Sequence, residues 1–165
     1  MSGKQRLIAA EMAAGFLWAL LLLWLGWRAT GADGSDPLAG AALALAFPAL
    51  VAVAMVGRLA QRRFFDARLI DGGGFAPGSP AEIDQRVLTN SVEQLVLAAC
   101  IWPALALRLG AQGAGVVLAL GVGLALTRIL FWVGYHRAPA LRGFGFAAGF
   151  YPTVLAGVWT VWTLI

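Results

Sequence analysis

The sequence predicts an all-α membrane protein, a bundle of five transmembrane helices. Three observations carry this: long uninterrupted apolar runs, little charge, and basic residues gathered between the runs. Of 165 residues, 61% are hydrophobic and only 12% charged, and the mean hydropathy is +0.81. A soluble domain is near half apolar and about a quarter charged. The excess here lies in continuous stretches, which a water-soluble core does not need.

A hydrocarbon core about 30 Å thick takes about 20 helical residues at about 1.5 Å each. Five segments reach that length: Leu7–Trp27, Leu38–Gly57, Val87–Leu107, Ala111–Tyr135 and Phe144–Ile165. The first follows a basic start and must be weighed against a signal peptide. It is longer than the core of such a peptide, carries Glu11, and no small-residue cleavage site follows it, so it reads as a retained helix. Pro48, Pro103 and Pro152 fall inside spans and predict kinks supported by packing. Gly113, Gly115, Gly121 and Gly123 in the fourth span predict close helix approach. Of the seven tryptophans, several lie near span ends, where interfacial anchoring accounts for them.

The connections are also readable. Residues 28–37 (RATGADGSDP) form a short stretch rich in turn formers. The long connection from Arg58 to Arg86 begins as helix continuing past the membrane and is broken by Gly72–Gly74, Pro77 and Pro80. Its triple glycine lacks the lysine and the strand–helix setting of a phosphate loop, and reads as a flexible turn. Ser79 and Asp84 are both candidates to cap the helix that follows.

The net charge of +4 raises nucleic-acid binding as a possibility, but the arginines cluster beside apolar spans, where topology signals belong. No nucleic-acid partner is expected. Cys100 is the single cysteine, which excludes an intrachain disulfide framework, and no metal-ligand cluster accompanies it, so no metal is expected. With a cytoplasmic N-terminus, Lys4, Arg6, Arg58, Arg62, Arg63, Arg68, Arg86, Arg137 and Arg142 share one side, against Arg28 and Arg108 on the other. That bias predicts N-in and C-out.

Three ionisable side chains fall within the spans: Glu11, Glu93 and Arg128. Charge at membrane depth costs at least a few kcal/mol, so such groups face a bundle interior and find partners. Arg86, Asn90 and Glu93 share one face of the third helix, and Arg128 and Tyr135 share one of the fourth. The expectation is a Glu93–Arg128 pair in a polar seam opening to the cytoplasm. Structural glue between helices is the plainer account of such a seam. Glu11 reads as a snorkelling or helix-contact residue, and His136 as an exposed flanking residue rather than a general base.

The segment Arg86–Val–Leu–Thr–Asn90–Ser–Val–Glu93 resembles the R-x3-N-x2-E signature of the MAPEG family, the membrane-associated proteins of eicosanoid and glutathione metabolism. Arg128-x6-Tyr135, Arg142 seven residues later, and Phe47–Pro48–Ala49–Leu50 followed by a basic extension are similar to the same family. The resemblance covers about Leu38 to Ile165. It divides the chain into residues 1–37, an additional N-terminal transmembrane helix and short loop, and residues 38–165, a four-helix membrane domain.

The resemblance implies a homotrimer with glutathione bound between subunits near the cytoplasmic surface. Arg86, Asn90, Glu93 and Arg128 would bind glutathione, Arg142 would stabilise its thiolate, and Tyr135 would donate a hydrogen bond. A nearby guanidinium lowers a thiol's pKa and raises the nucleophilic fraction. The family is expected to take lipophilic small molecules from the bilayer, here that of a bacterial inner membrane.

Two departures bear on function. The additional span resembles the mattrin-like branch of the family, which is not well described as catalytic. Thr89, Phe131, Gly143 and Phe146 look apolar or small where eicosanoid-forming members are polar. Two readings follow: a glutathione-dependent transferase or peroxidase acting on lipophilic electrophiles, or a non-catalytic scaffold binding lipid or a membrane-protein partner. A transporter fits poorly, since there is no internal repeat and few polar residues to line an aqueous path.

Overall fold

The computed structural model describes residues 2–29 and 36–165, and within them the protein is all-helical. Helix α1 spans Gly3–Ala29, α2 Pro37–Phe64, α3 Pro80–Leu109, α4 Gly113–Arg137 and α5 Pro139–Trp162. Four stretches are long and apolar enough to cross a membrane: Gly3–Ala29, Pro37–Phe64, Pro80–Arg137 and Leu141–Trp162. The third, 58 residues long, comprises α3 and α4 joined by a short 3-10 turn at Gly110–Gln112. Gly110 has φ +57°, a left-handed conformation that glycine adopts without a Cβ penalty. The protein is an integral membrane protein. Part of the predicted first connection, residues 30–35, lies outside the described residues.

Helix boundaries follow local signals. Asp36 caps α2 by accepting from the Leu38 N–H at 2.9 Å, with Pro37 at the first turn. Of the two candidates for α3, Ser79 is the cap: its hydroxyl accepts from the Glu82 N–H at 3.2 Å, while the Glu82 carboxylate accepts from the Gly78 N–H at 2.6 Å. The basic continuation of α2 runs as helix to Phe64, as predicted. Beyond it, the Arg68 guanidinium beside Asp66 holds that carboxyl below its ordinary range. Pro48, Pro103 and Pro152 all lie within continuous helices.

Contacts show that successive helices alternate in direction. At one end Arg58 of α2, Asp84 of α3 and His136 of α4 meet, and Glu11 of α1 reaches Gly143 of α5. At the other, Arg108 of α3 donates to Thr163 just past α5, and Gly26 of α1 lies against Val116 of α4. All five helices contribute to one core, including Leu22, Ala44, Trp102, Leu120 and Ala156. Trp102 is wholly buried there, far from an interfacial anchor, whereas Trp24 and Trp162 are exposed.

Close approach depends on glycine. A Cβ on Gly121 would overlap the Ala44 backbone of α2, and one on Gly113 the Ala106 backbone of α3. Helix α1 docks through Gly15, Ala19, Leu22 and Gly26, buried residues repeating every three or four positions. A Cβ on Gly15 would come within 2.6 Å of Ala147 Cβ, so α1 and α5 pack almost backbone to backbone.

Candidate functional site

Two polar assemblies occupy the end of the bundle where α2 meets α3 and α4 meets α5. The first is centred on Asp84, a fully buried carboxylate. Its Oδ2 accepts from Arg58 Nε at 2.9 Å and lies 3.1 Å from Arg62 Nε, a contact within ion-pair distance but outside hydrogen-bond geometry. Its Oδ1 accepts from the Trp132 indole at 2.7 Å and lies 2.7 Å from His136 Nε2. The Arg58 guanidinium also sits over the Trp132 ring, 5.7 Å from its centroid. Beneath the cluster, Met55, Val87 and Phe131 pack as a small apolar core. Asp84 thus ties α2, α3 and α4 together.

This corrects two sequence readings. Asp84 does not cap α3; it lies more than a turn past Ser79 and points into the bundle. His136 ends α4, but its imidazole is only 24% exposed because it turns inward to Asp84. Nothing local marks either role, since the partners of Asp84 lie 22 to 52 positions away.

The second assembly is a cavity of about 740 Å³ between α1, α3, α4 and α5. Asn90, Tyr135 and Arg142 line it, together with Glu11, Phe146 and Phe150. The Arg142 guanidinium is exposed and sits 5.2 Å over the Tyr135 ring, a cation–π placement that steadies it without an anionic partner among the described residues. Phe146 stacks on Phe150, 5.8 Å between centroids, so one wall is aromatic.

Arg128 stands behind this cavity, 1% exposed. One guanidinium nitrogen donates to Asn90 Oδ1 at 2.9 Å, another to the Gly145 carbonyl, and the group lies 4.6 Å from the Phe131 centroid. Its Nε and both polar atoms of the buried Gln94 side chain have no hydrogen-bond partner among the described residues. Gly149 makes the space: a Cβ there would fall 2.5 Å from both Arg128 Nη2 and Gln94 Oε1.

The predicted Glu93–Arg128 pair does not form. Asn90 stands between them, accepting from Arg128 and donating to Glu93 Oε2 at 3.3 Å. Glu93 is exposed. Arg86 also points outward and pairs with Glu82 at 2.7 Å. Arg86 and Glu93 line an open groove of about 390 Å³ that touches the main cavity only at Asn90. Within one chain, then, Asn90, Tyr135 and Arg142 gather in the cavity, Arg128 buttresses it, and Arg86 and Glu93 lie outside it.

Glu11 is the residue whose place here the sequence left least visible. The spacing of Gly15, Ala19 and Gly26 was the available signal: a small-residue face fixes which side of α1 docks, and Glu11 continues it one turn earlier. Among the described residues, no group of three or more His, Cys, Asp or Glu side chains is placed to hold a metal ion.

An all-helical bundle of helices long and apolar enough to cross a membrane, with a cavity at one end, defines a class of integral membrane protein. Within that class the chain belongs to the MAPEG family, whose model matches residues 37–162. Helix α1 precedes the matched residues. No curated protein and no solved structure matches the chain.

Proposed function

We propose that this protein is a glutathione-dependent transferase or peroxidase acting on lipophilic electrophiles from the bilayer. The observation that carries the reading is Arg142, a cation without an ion-pair partner among the described residues, held over Tyr135 at a cavity shared with Asn90. A guanidinium so placed favours a thiolate over a thiol, which raises nucleophilicity at neutral pH. Tyr135 supplies a hydroxyl donor, and Asn90, fixed by Arg128, supplies an oriented amide. The aromatic wall of Phe146 and Phe150 offers an apolar electrophile a surface continuous with lipid.

In the transfer step the thiolate sulfur bonds to the electrophilic carbon, the leaving group departs with its electron pair, and the thiol proton has already passed to water. All five helices cross the membrane in this reading, the N-terminus is cytoplasmic, and the membrane is a bacterial inner membrane. Arg86 and Glu93 face outward, which suits a homotrimer whose neighbouring subunits complete the glutathione site.

The test is conjugation of glutathione to 1-chloro-2,4-dinitrobenzene by the purified protein. Activity unchanged in Arg142→Ala rejects the mechanism. A reporter fused after Ile165 and active only in the cytoplasm rejects the orientation.

The alternative, a mattrin-like scaffold binding lipid or a membrane-protein partner, is favoured by one observation. The Glu11 carboxyl of α1 enters the same cavity as Arg142, and a carboxylate near a developing thiolate opposes it. A stable co-purifying partner with no thiol binding would establish that alternative.

A further inference from the structure

The cavity carries two opposite charges that leave each other unpaired. Glu11 and Arg142 both line it, yet no cation lies within ion-pair distance of the Glu11 carboxyl among the described residues. Glu11 lies four residues into the apolar run that begins at Leu7, about 6 Å of helix by the rise per residue. A carboxylate within an apolar span is costly and calls for a partner. Its position is built rather than incidental. The carboxyl fills space that only a glycine at 143 leaves open, and Gly15, one turn further along α1, docks that helix against Ala147. Phe16 on the same helix meets Tyr151 edge-on at 5.9 Å, which further fixes its rotation.

A ligand with only an anionic group would satisfy Arg142 and be repelled by Glu11; one with only a cation would meet the reverse. A ligand carrying an ammonium and an anion satisfies both, and its apolar part can lie on Phe146 and Phe150. We infer that Glu11 is the ammonium-recognising residue of this cavity, which selects ligands carrying an ammonium together with an anion. The inference deepens the glutathione reading and rests on it for one of two ligand sources. The γ-glutamyl end of glutathione has this chemistry, and so does a phosphatidylethanolamine headgroup.

Calorimetric binding to the full-length protein in detergent separates the outcomes. The probes are glutathione and its des-amino analogue, in which a glutaryl group replaces the γ-glutamyl group and the ammonium is lost. Wild type is expected to prefer glutathione about tenfold or more, as a charge-assisted hydrogen bond warrants. Glu11→Gln should abolish most of that preference while leaving affinity for the analogue unchanged or higher. Equal binding of both probes by wild type overturns the inference and needs no variant to fold. Full preference retained in Glu11→Gln overturns it as well.

If neither thiol binds wild type, the glutathione reading fails and the lipid arm decides. In nanodiscs mixing phosphatidylethanolamine with phosphatidylglycerol, native mass spectrometry should find the ethanolamine lipid retained by wild type and not by Glu11→Gln. Retention insensitive to Glu11 overturns the inference there too.

Discussion

Gly143 of α5 and Glu11 of α1 occupy one space: a Cβ on the glycine would overlap Oε2 of the glutamate. The absence of a side chain at one position therefore sets where a charged group from another helix can sit.

Gly143→Ala should displace the Glu11 carboxyl. Because the clash is with the far end of a flexible side chain, the expected cost is about 1 kcal/mol, at the low end for overpacking. Combining it with Glu11→Ala should recover most of that loss. Thermal unfolding of the four proteins of this cycle measures the coupling, and additive effects would show that the two residues do not share the site.

Gly121→Val tests the contact between α4 and α2. Here the added atoms meet Ala44 backbone, which cannot rotate away, so about 3 kcal/mol or loss of the folded form is expected. Gly57→Ala is the control. Nothing lies within 4 Å of its would-be Cβ, and alanine favours helix by up to about 1 kcal/mol. Unfolding midpoints in detergent should move down for the first and stay or rise for the second.

Asp84→Ala leaves Trp132 and His136 without their acceptor and removes the anion shared by two arginines. Arg58 and Arg62 are 45% and 30% exposed, so both can turn to water and soften the loss. The expected destabilisation is about 2 kcal/mol, below that for a fully buried pair. His136→Ala, which removes one of the contacts, should cost about 1 kcal/mol. Thermal unfolding midpoints in detergent measure both losses.

Arg142→Ala should lower kcat/KM for glutathione conjugation about 100-fold, the scale of losing one preorganised charge-stabilising donor. Its thermal midpoint should match wild type, because Arg142 is exposed and its guanidinium rests on the Tyr135 ring. A drop in both quantities would mark the residue as structural.

Much of the fold was legible in order. Apolar runs of the length a bilayer requires mark the cores of all five helices, and Asp36, Ser79 and the Gly72–Pro80 stretch mark ends and breaks. The site was legible in part. Placing Arg86, Asn90 and Glu93 on one face of α3 was right as geometry, but it could not say which member turns toward Arg128. Asn90 does, while Arg86 and Glu93 point outward. Asp84 offered no periodic or motif signal, because its role comes from arginines one turn apart on α2 and from Trp132 and His136 four residues apart on α4.

Sequence alone determined that this chain is an integral membrane protein and where its helices lie, since exclusion from water is a property each segment carries by itself. Only tertiary structure decided that Asp84 is a hub, that Asn90 rather than Glu93 meets Arg128, and that Glu11 enters the cavity of Arg142. Those outcomes depend on the rotation and offset of one helix against another, which are set by close approaches at Gly15, Gly121 and Gly143 and not by any single segment.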